Sequence, residues 1–446
     1  MSKNNELTLG GGIDLSLCGR YRLQVIDATT KVIISDYGWN KNLILNNGMD
    51  AIAGNLIASL TPYGICGSGS RPNRITSSTS QISQSGAQIY LMDTSGLTDF
   101  TSSVFTNGTM SYTSRAQIGD VIIDSDNSQS MILSVPSDGL NLFVNVSQSF
   151  TGGKTFTIWK TSQTHLQGEV HRSSAYILVG SSSLLGWNQG TYVSASVMTH
   201  RRTYDFAVES ATQSYKEVGI GWSPTLNDTA VFSRAVLPNS VSVVPNQQLR
   251  MTYDLQVTFG PTSVRYKTPT ITGWPVPPST TTEMSESMQL FYGGFSNNWM
   301  ASAVNTDGGN TGWPVLDPTG RVASWDGYSS YGCSMFVSSN SASLVPFGSC
   351  VDRSTNGYLA FPVLDPYIPG SYVIYKRATF DVSSANVTNI RSVGFGLYYY
   401  LGGDIYSRPY WGNAQAFCCV FTQPQTKTNL QTLTLGWKST WARVIQ

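Results

Sequence analysis

The sequence predicts an all-β protein: two β-sandwich or jelly-roll-like domains, a small β-barrel-like insertion and one short N-terminal helix. Three observations carry this. Short runs with apolar residues at alternate positions recur about every ten residues between Gly, Pro, Asn and Asp turns. Only one stretch keeps a helical period. A glycine-spaced strand phrase, "KEVGIGW" at 216–222, returns as "RSVGFGL" at 391–397.

Along the chain, "GRYRLQVID" sets Tyr21, Leu23 and Val25 on one face against Arg22, Gln24 and Ile26 on the other, and "TKVIISDYGW" follows as a hairpin partner. In "NNGMDAIAGNLIASL", Met49, Ile52, Ala53, Leu56, Ile57 and Leu60 share one helical stripe, which predicts a helix over 47–60. Asn46 or Asn47 supplies its N-cap, Asp50 lies in its first turn and "TPYG" ends it. Burying Met49, Ile52, Leu56 and Ile57 on a sheet would contribute at most about 6 to 12 kcal/mol, so the helix reads as a lid over a β core.

Residues 85–165 form an inserted module of short strands such as "QSMILSV" and "KTFTIWK", separated by "DSDN", "PSDG" and "TGG". Residues 1–84 and 166–261 together make the first sandwich, 262–282 is a Pro-rich linker, and 283–446 is a second sandwich that partly repeats the first. Here "WPVLDP" at Trp313 returns as "FPVLDP" at Phe361.

The repeat extends beyond the glycines. "HRRTYDFAVESATQSYKEVGIGW" aligns without a gap to "YKRATFDVSSANVTNIRSVGFGL", matching Arg202 with Arg377, Gly219 with Gly394 and Gly221 with Gly396. Further on, "FSR", ending at Arg234, is answered by "YSR", ending at Arg408. These six residues, Gly219, Gly221, Arg234, Gly394, Gly396 and Arg408, mark a duplicated β-unit. In a strand, Val218, Ile220 and Trp222 feed a core, while the two glycines leave bare backbone against which a sheet, loop or ring lies closely. A phosphate-cradling G-x-G would need a strand-turn-helix setting and a third glycine.

Composition bounds the partners. Lys+Arg 27 against Asp+Glu 26 gives a net charge of +1, so no global field draws nucleic acid or an anionic membrane. Charged residues are 12% of the chain, about half the usual share for globular domains; such weakly charged surfaces suit proteins packed against neighbours. The opening "MSKNNELTLGGG" lacks an apolar signal core, and no run is long enough to span a bilayer. Cys18, Cys66, Cys333, Cys350, Cys418 and Cys419 lack metal-site spacing and read as reduced thiols, with a Cys333 to Cys350 bridge left open.

Motifs for chemistry are scarce. The three histidines, His165, His171 and His200, read as structural, and Asp120, Asp124, Asp126 and Asp138 read as surface turns, not a calcium loop. No hydrolase, zincin or nucleotide motif occurs, and no cofactor or metal site is indicated. The aromatic stretches "LYYYLGG" and "GWNQGTY" would suit stacking on sugars, though core filling and subunit contact explain them more simply.

The order "YRLQVID...KVIISDYGWNKNLILNNGMDAIAG...ICGSGSRPN" resembles structural proteins of tailed bacteriophages. So does "RRTYDFAVE...YKEVGIGW...VFSRAVLP...QQLRMTYDLQVTFGP". The resemblance covers about half of the region before the Pro-rich stretch and implies a fibre, neck or baseplate type of virion part with no catalytic residues. The expectation is a non-enzymatic component of a phage particle. It is assembled in the host bacterial cytoplasm, forms a trimer or larger homo-oligomer and docks to other virion proteins, without nucleic acid or membrane insertion. The alternatives are a receptor-binding protein for a host surface glycan and, more weakly, a polysaccharide-degrading tailspike.

Overall fold

The computed structural model describes residues 5–53, 60–76, 81–92, 116–135, 141–144, 150–174, 197–259, 265–267, 281–284, 332–338, 357–360, 363–383, 389–398 and 414–445. The alternation at the start of the chain builds one unusually long strand, β1 (Asn5–Asp27), whose Leu15, Leu17, Tyr21, Leu23 and Val25 are buried. It continues into β2 (Ile33–Ile44), the short helix α1 (Asn46–Ile52) and β3 (Tyr63–Gly67).

The sheet of the inserted module starts before residue 85: it contains β4 (Arg74–Thr76) and β5 (Gln81–Ser85) as well as β6 (Gln88–Met92), β7 (Val121–Asp124), β8 (Gln129–Ser134), β9 (Asn141–Val144) and β10 (Phe156–Trp159). They form a seven-stranded sheet in the order β4-β10-β7-β8-β9-β6-β5, with its own core of Ile75, Ile122, Ile132, Leu142 and Phe156 among others. The barrel-like expectation is corrected. β4 and β5 end the described sheet without pairing to each other, so it stays open.

The chain then returns through β11 (Glu169–Ser173), β12 (Val197–Val208), β13 (Gln213–Gly221), β14 (Val231–Val243) and β15 (Gln247–Phe259). β12, β15 and β1 pair in sequence across one layer, while β11, β3, β13 and β14 form the facing layer, and β2 pairs with both β1 and β14. Tyr204, Met251 and Tyr253 of the first layer and Val218, Ile220 and Phe232 of the second meet in one buried cluster. On the opposite face of the first layer, arginines meet aspartates: Arg20 and Arg201 share Asp254, Arg22 is on Asp36 and Arg250 on Asp205.

The remaining strands are β16 (Arg265–Lys267), β17 (Thr281–Met284), β18 (Gly332–Ser338), β19 (Gly357–Ala360), β20 (Val363–Leu364), β21 (Val373–Phe380), β22 (Ile390–Tyr398), β23 (Ala414–Gln425) and β24 (Gln431–Arg443). Six of them form a sheet ordered β16-β17-β23-β22-β18-β19. β16 falls inside the stretch read as a linker, where it pairs with β17.

One pairing crosses the expected division at 262–282. β24 lies parallel to the first half of β1, from Asn5 opposite Gln431 to Leu17 opposite Arg443, and β21 and β20 continue the sheet beyond it. Ile374, Phe380, Leu433, Leu435 and Trp441 accordingly share the buried cluster that holds Leu15, Tyr21 and Met251.

The helix departs from its reading. Leu45 is its N-cap and no side chain caps it, because the asparagines are engaged elsewhere. The Asn46 amide donates to Gly119 O at 2.7 Å and accepts from Tyr372 Oη at 3.1 Å, and Asn47 donates to Thr229 O. Asp50 lies past the first turn, where it accepts from Tyr367 Oη (2.5 Å) and Gly370 N (2.7 Å). Met49 and Ile52 are buried as predicted, whereas Leu56 and Ile57 lie outside the described residues. No helix among the described residues is long and apolar enough to cross a membrane.

Candidate functional site

The two glycine phrases stand in ladders of one plan. β13 runs between β3 and β14, and β22 runs between β18 and β23. Both ladders are irregular at the same two places. Tyr215 pairs with Val241 and Glu217 with Val236, so Lys216 alone stands against residues 237–240. Likewise Ile390 pairs with Gln425 and Ser392 with Val420, so Arg391 alone stands against 421–424. The basic residue before each phrase is therefore a bulge position, and each opposing excursion contains a proline, Pro238 or Pro424, which has no N–H to give a ladder. The second irregularity falls before the second glycine in both copies, Gly221 and Gly396.

In the first copy the glycine face is covered by the segment returning from the inserted module. A Cβ on Gly219 would lie 2.7 Å from Leu166 Cδ1 and from Ser233 O, and one on Gly221 would meet Ala230 O. A loop fills the bare face, as the alternation had implied. On that same face sits a fully buried ion pair. Arg234 Nε donates to Glu217 Oε2 at 2.8 Å, and its other nitrogens donate to Gln163 Oε1 and Arg71 O, each at 2.9 Å. Glu217 also accepts from the backbone N–H groups of Gln167 (3.1 Å) and Gly168 (2.6 Å). The "GSGS" strand end makes room for it, since a Cβ on Gly67 would come within 2.8 Å of Glu217 Oε1. Three motifs noted separately in sequence thus converge on one charge pair with its hydrogen bonds satisfied.

The second copy differs. The residue opposite Gly219 is Arg234, but the residue opposite Gly394 is Cys418, and Arg408 lies outside the described residues. Ser392 holds the place of Glu217. The gapless alignment also slips by one residue in the preceding strands. Arg202 shares a face with buried Tyr204 and Phe206 and donates to Thr61 O at 3.0 Å. Arg377 sits opposite in parity to buried Ala378 and Phe380 and turns outward to Asp365.

Other candidate residues resolve into structural roles. His165 is buried beside Leu166, where burial and then the Arg234 charge hold its imidazole below the usual range. His171 Nε2 lies 3.0 Å from Glu209 Oε1, which also accepts from Tyr215 Oη. Cys66 is fully buried near this group, and burial pushes its thiol well up, the reverse of what a nucleophile needs. His200 is opposite Leu255 in the ladder, and its side chain lies outside the described ones.

The reading of the aspartates as surface turns is corrected at two of them, Asp120 and Asp124. Asp120 is fully buried, pairs with Lys160 and accepts from Ser162 Oγ at 2.6 Å, a partner too far along the chain for a turn reading to reveal. Asp124 is also buried, at the end of β7, where its carboxylate accepts from the backbone N–H groups of Asp126 and Ser128; Asp126 does lie in an exposed turn, and Asp138 is outside the described residues. No group of three metal-ligating side chains occurs among the described residues. Cys18 and Cys66 are free thiols, whereas Cys350, "LYYYLGG" beyond Tyr398 and "GWNQGTY" lie outside the described residues.

Two surface features remain. From Ile33 to Asn42, β2 pairs only with β1 among the described strands, and Val32 (61% exposed), Ile33 and Ile34 (49% each) and Tyr37 stand open to solvent along it. Where β2 leaves β14, a cleft of about 790 Å³ opens, lined among others by Trp39, Asn40, Asn42, Arg74 and Trp159. Comparison of the chain with protein-family models, curated proteins and solved structures gives no match.

Proposed function

We propose that this chain is a non-enzymatic structural component of a bacteriophage particle, of tail, neck, baseplate or fibre type, that acts by self-association and by docking to other virion proteins. The observation that carries the reading is the open β2 edge. A long edge strand with exposed Ile33, Ile34 and Tyr37, and with Val32 exposed just before it, is a template for pairing, and proteins that stay monomeric blunt such edges with charge, proline or cover. The paired charges on the neighbouring sheet face and the net charge of +1 leave little repulsion between copies. The phage assignment itself rests on the resemblance of the N-terminal motifs.

Light scattering of the purified chain at micromolar concentration tests the assembly. A trimer or larger is expected, and Ile33→Lys with Ile34→Asp should shift it toward monomer without lowering the melting temperature. A monomeric wild-type chain overturns the reading. Release of reducing ends from host polysaccharide, abolished by a single Asp→Asn change, overturns its non-enzymatic part.

A further inference from the structure

One buried contact sets a lysine amine against a carboxylate. Lys160 follows β10 and Asp120 precedes β7, and since Trp159 pairs with Val121, the two stand opposite one another one step beyond that ladder. Their side chains are 4% and 0% exposed, and Lys160 Nζ donates to Asp120 Oδ2. The other lysine–carboxylate pair among the described residues, Lys154 with Asp126, is 37% and 46% exposed. Two further buried pairs, Arg172 with Glu169 and Arg234 with Glu217, use arginine, whose guanidinium stays charged.

Lysine is rarely buried to this degree. Taking an ammonium and a carboxylate out of water carries a desolvation cost that their attraction repays only in part. Joining them as an amide removes both charges and releases a water, so burial that costs an ion pair stability favours its condensation.

The setting supplies the geometry. Asp120 Oδ1 accepts from Ser162 N (3.2 Å) and Ser162 Oγ (2.6 Å), two donors aimed at the oxygen that carries negative charge once an amine adds to the carboxyl carbon. Oδ2, which holds Nζ, also accepts from Gln117 N at 2.9 Å. Backbone bonds fix both ends: Lys160 N donates to Asn73 O and Ile132 N to Asp120 O, each at 2.8 Å. Amine and carboxyl are thus held side by side, which replaces a bimolecular encounter by a positioned one.

We propose that Lys160 and Asp120 join in an intramolecular isopeptide bond once the inserted module has folded. The Nζ ammonium passes one proton to Oδ2, which leaves a neutral amine beside a carboxylic acid. The amine attacks Cγ while Oδ1 takes up charge against the Ser162 donors. Nζ gives a second proton to the departing Oδ2 hydroxyl, which leaves as water, and Oδ1 becomes the amide oxygen. One C–N bond forms and one C–O bond breaks, with no change of oxidation state and no co-reactant. The product closes residues 120–160 into a covalent loop where the module meets α1, since Thr161 Oγ1 and the Asn46 amide both donate to Gly119 O at 2.7 Å. The proposal is independent of the assembly reading, because both groups belong to one chain.

Intact-mass spectrometry of the purified, denatured full chain tests it. The wild-type chain should weigh one water less than its sequence requires, and Lys160→Met and Asp120→Ala should each have the full mass of theirs. A tryptic digest of the wild type should contain a branched peptide that joins the segment of Lys160 to that of Asp120. Ser162→Ala should leave part of the chain unlinked, seen as a second species one water heavier, and complete linkage there overturns the role given to its hydroxyl. A wild-type chain of full mass, or a missing water that persists in Lys160→Met, overturns the proposal. If the variants do not fold, the wild-type mass and the branched peptide decide the question by themselves.

Discussion

The strands holding Gly219 and Gly394 share their neighbours' order and both ladder irregularities, yet they differ in what the strand carries. The first has Glu217 before it and Arg234 opposite it, a charge pair sealed under residues 160–168. The second has Ser392 and Cys418 in those places. The shared part is backbone: bulges, a proline excursion, two glycines. The differing part is the polar filling. Backbone geometry therefore specifies the unit, and the ion pair is an addition tied to the inserted module, whose return segment supplies Gln163, Gln167 and Gly168 to it.

The sharpest way to break this comparison is Arg234→Ala. It leaves Glu217 buried and unpaired, so a loss of about 3 to 5 kcal/mol is expected in urea unfolding, whereas Cys418→Ala should cost about 1 kcal/mol or less. Equal losses would mean that the pair has no special place in the first unit. Glu217→Gln with Arg234→Met should recover most of the loss.

Next comes Gly219→Val, which drives a branched side chain into Leu166 and Ser233 O and should cost about 1 to 3 kcal/mol. Hydrogen exchange should speed up in residues 160–168 and in β3 and β14. Gly394→Val should act on β18, β22 and β23 instead. If both variants loosen the same residues equally, the two ladders are not separate units, and β1, which pairs into both halves, is the route by which they communicate.

The smallest effect is on pH. All three histidines precede the Pro-rich stretch, and the buried His165 has its proton affinity lowered by burial and by Arg234. The unfolded chain takes up that proton near pH 6.5, before the folded one does. Stability therefore falls as pH drops below about 6.5 and levels off below the folded value, each unit of depression being worth about 1.4 kcal/mol. Acidification from pH 7 to 5 should speed exchange at 160–168 and leave β22 to β24 unchanged. His165→Asn should remove the response, and a response centred on β22 would contradict the assignment.

What was legible in the sequence follows from range. Period-two alternation is local, so Tyr21, Leu23, Val25, Val218 and Ile220 could be placed in the core, and the bare glycine face could be expected to be covered. Charges gave no such signal. Asp120 read as a surface turn, and nothing marked Glu217 as buried, because their partners, Lys160 and Arg234, reach them only in the folded chain. The one-residue slip between Arg202 and Arg377 was hidden because two short basic strands align equally well in either register, and only the burial of Phe206 and Phe380 decides between them.

The long β1 strand sets an order of events during synthesis. Its second half can pair with β2 at once and with β15 after some two hundred residues, but its first half finds β24 only after more than four hundred. At about 5 to 20 residues per second the interval is on the order of half a minute or more. For that time residues 5–17 lack the strand that completes their ladder, in a cell where many copies of the same chain are being made. The last of the described strands is thus the one that pairs with the first, and truncation before Gln431 would leave a nascent edge open to a neighbouring chain.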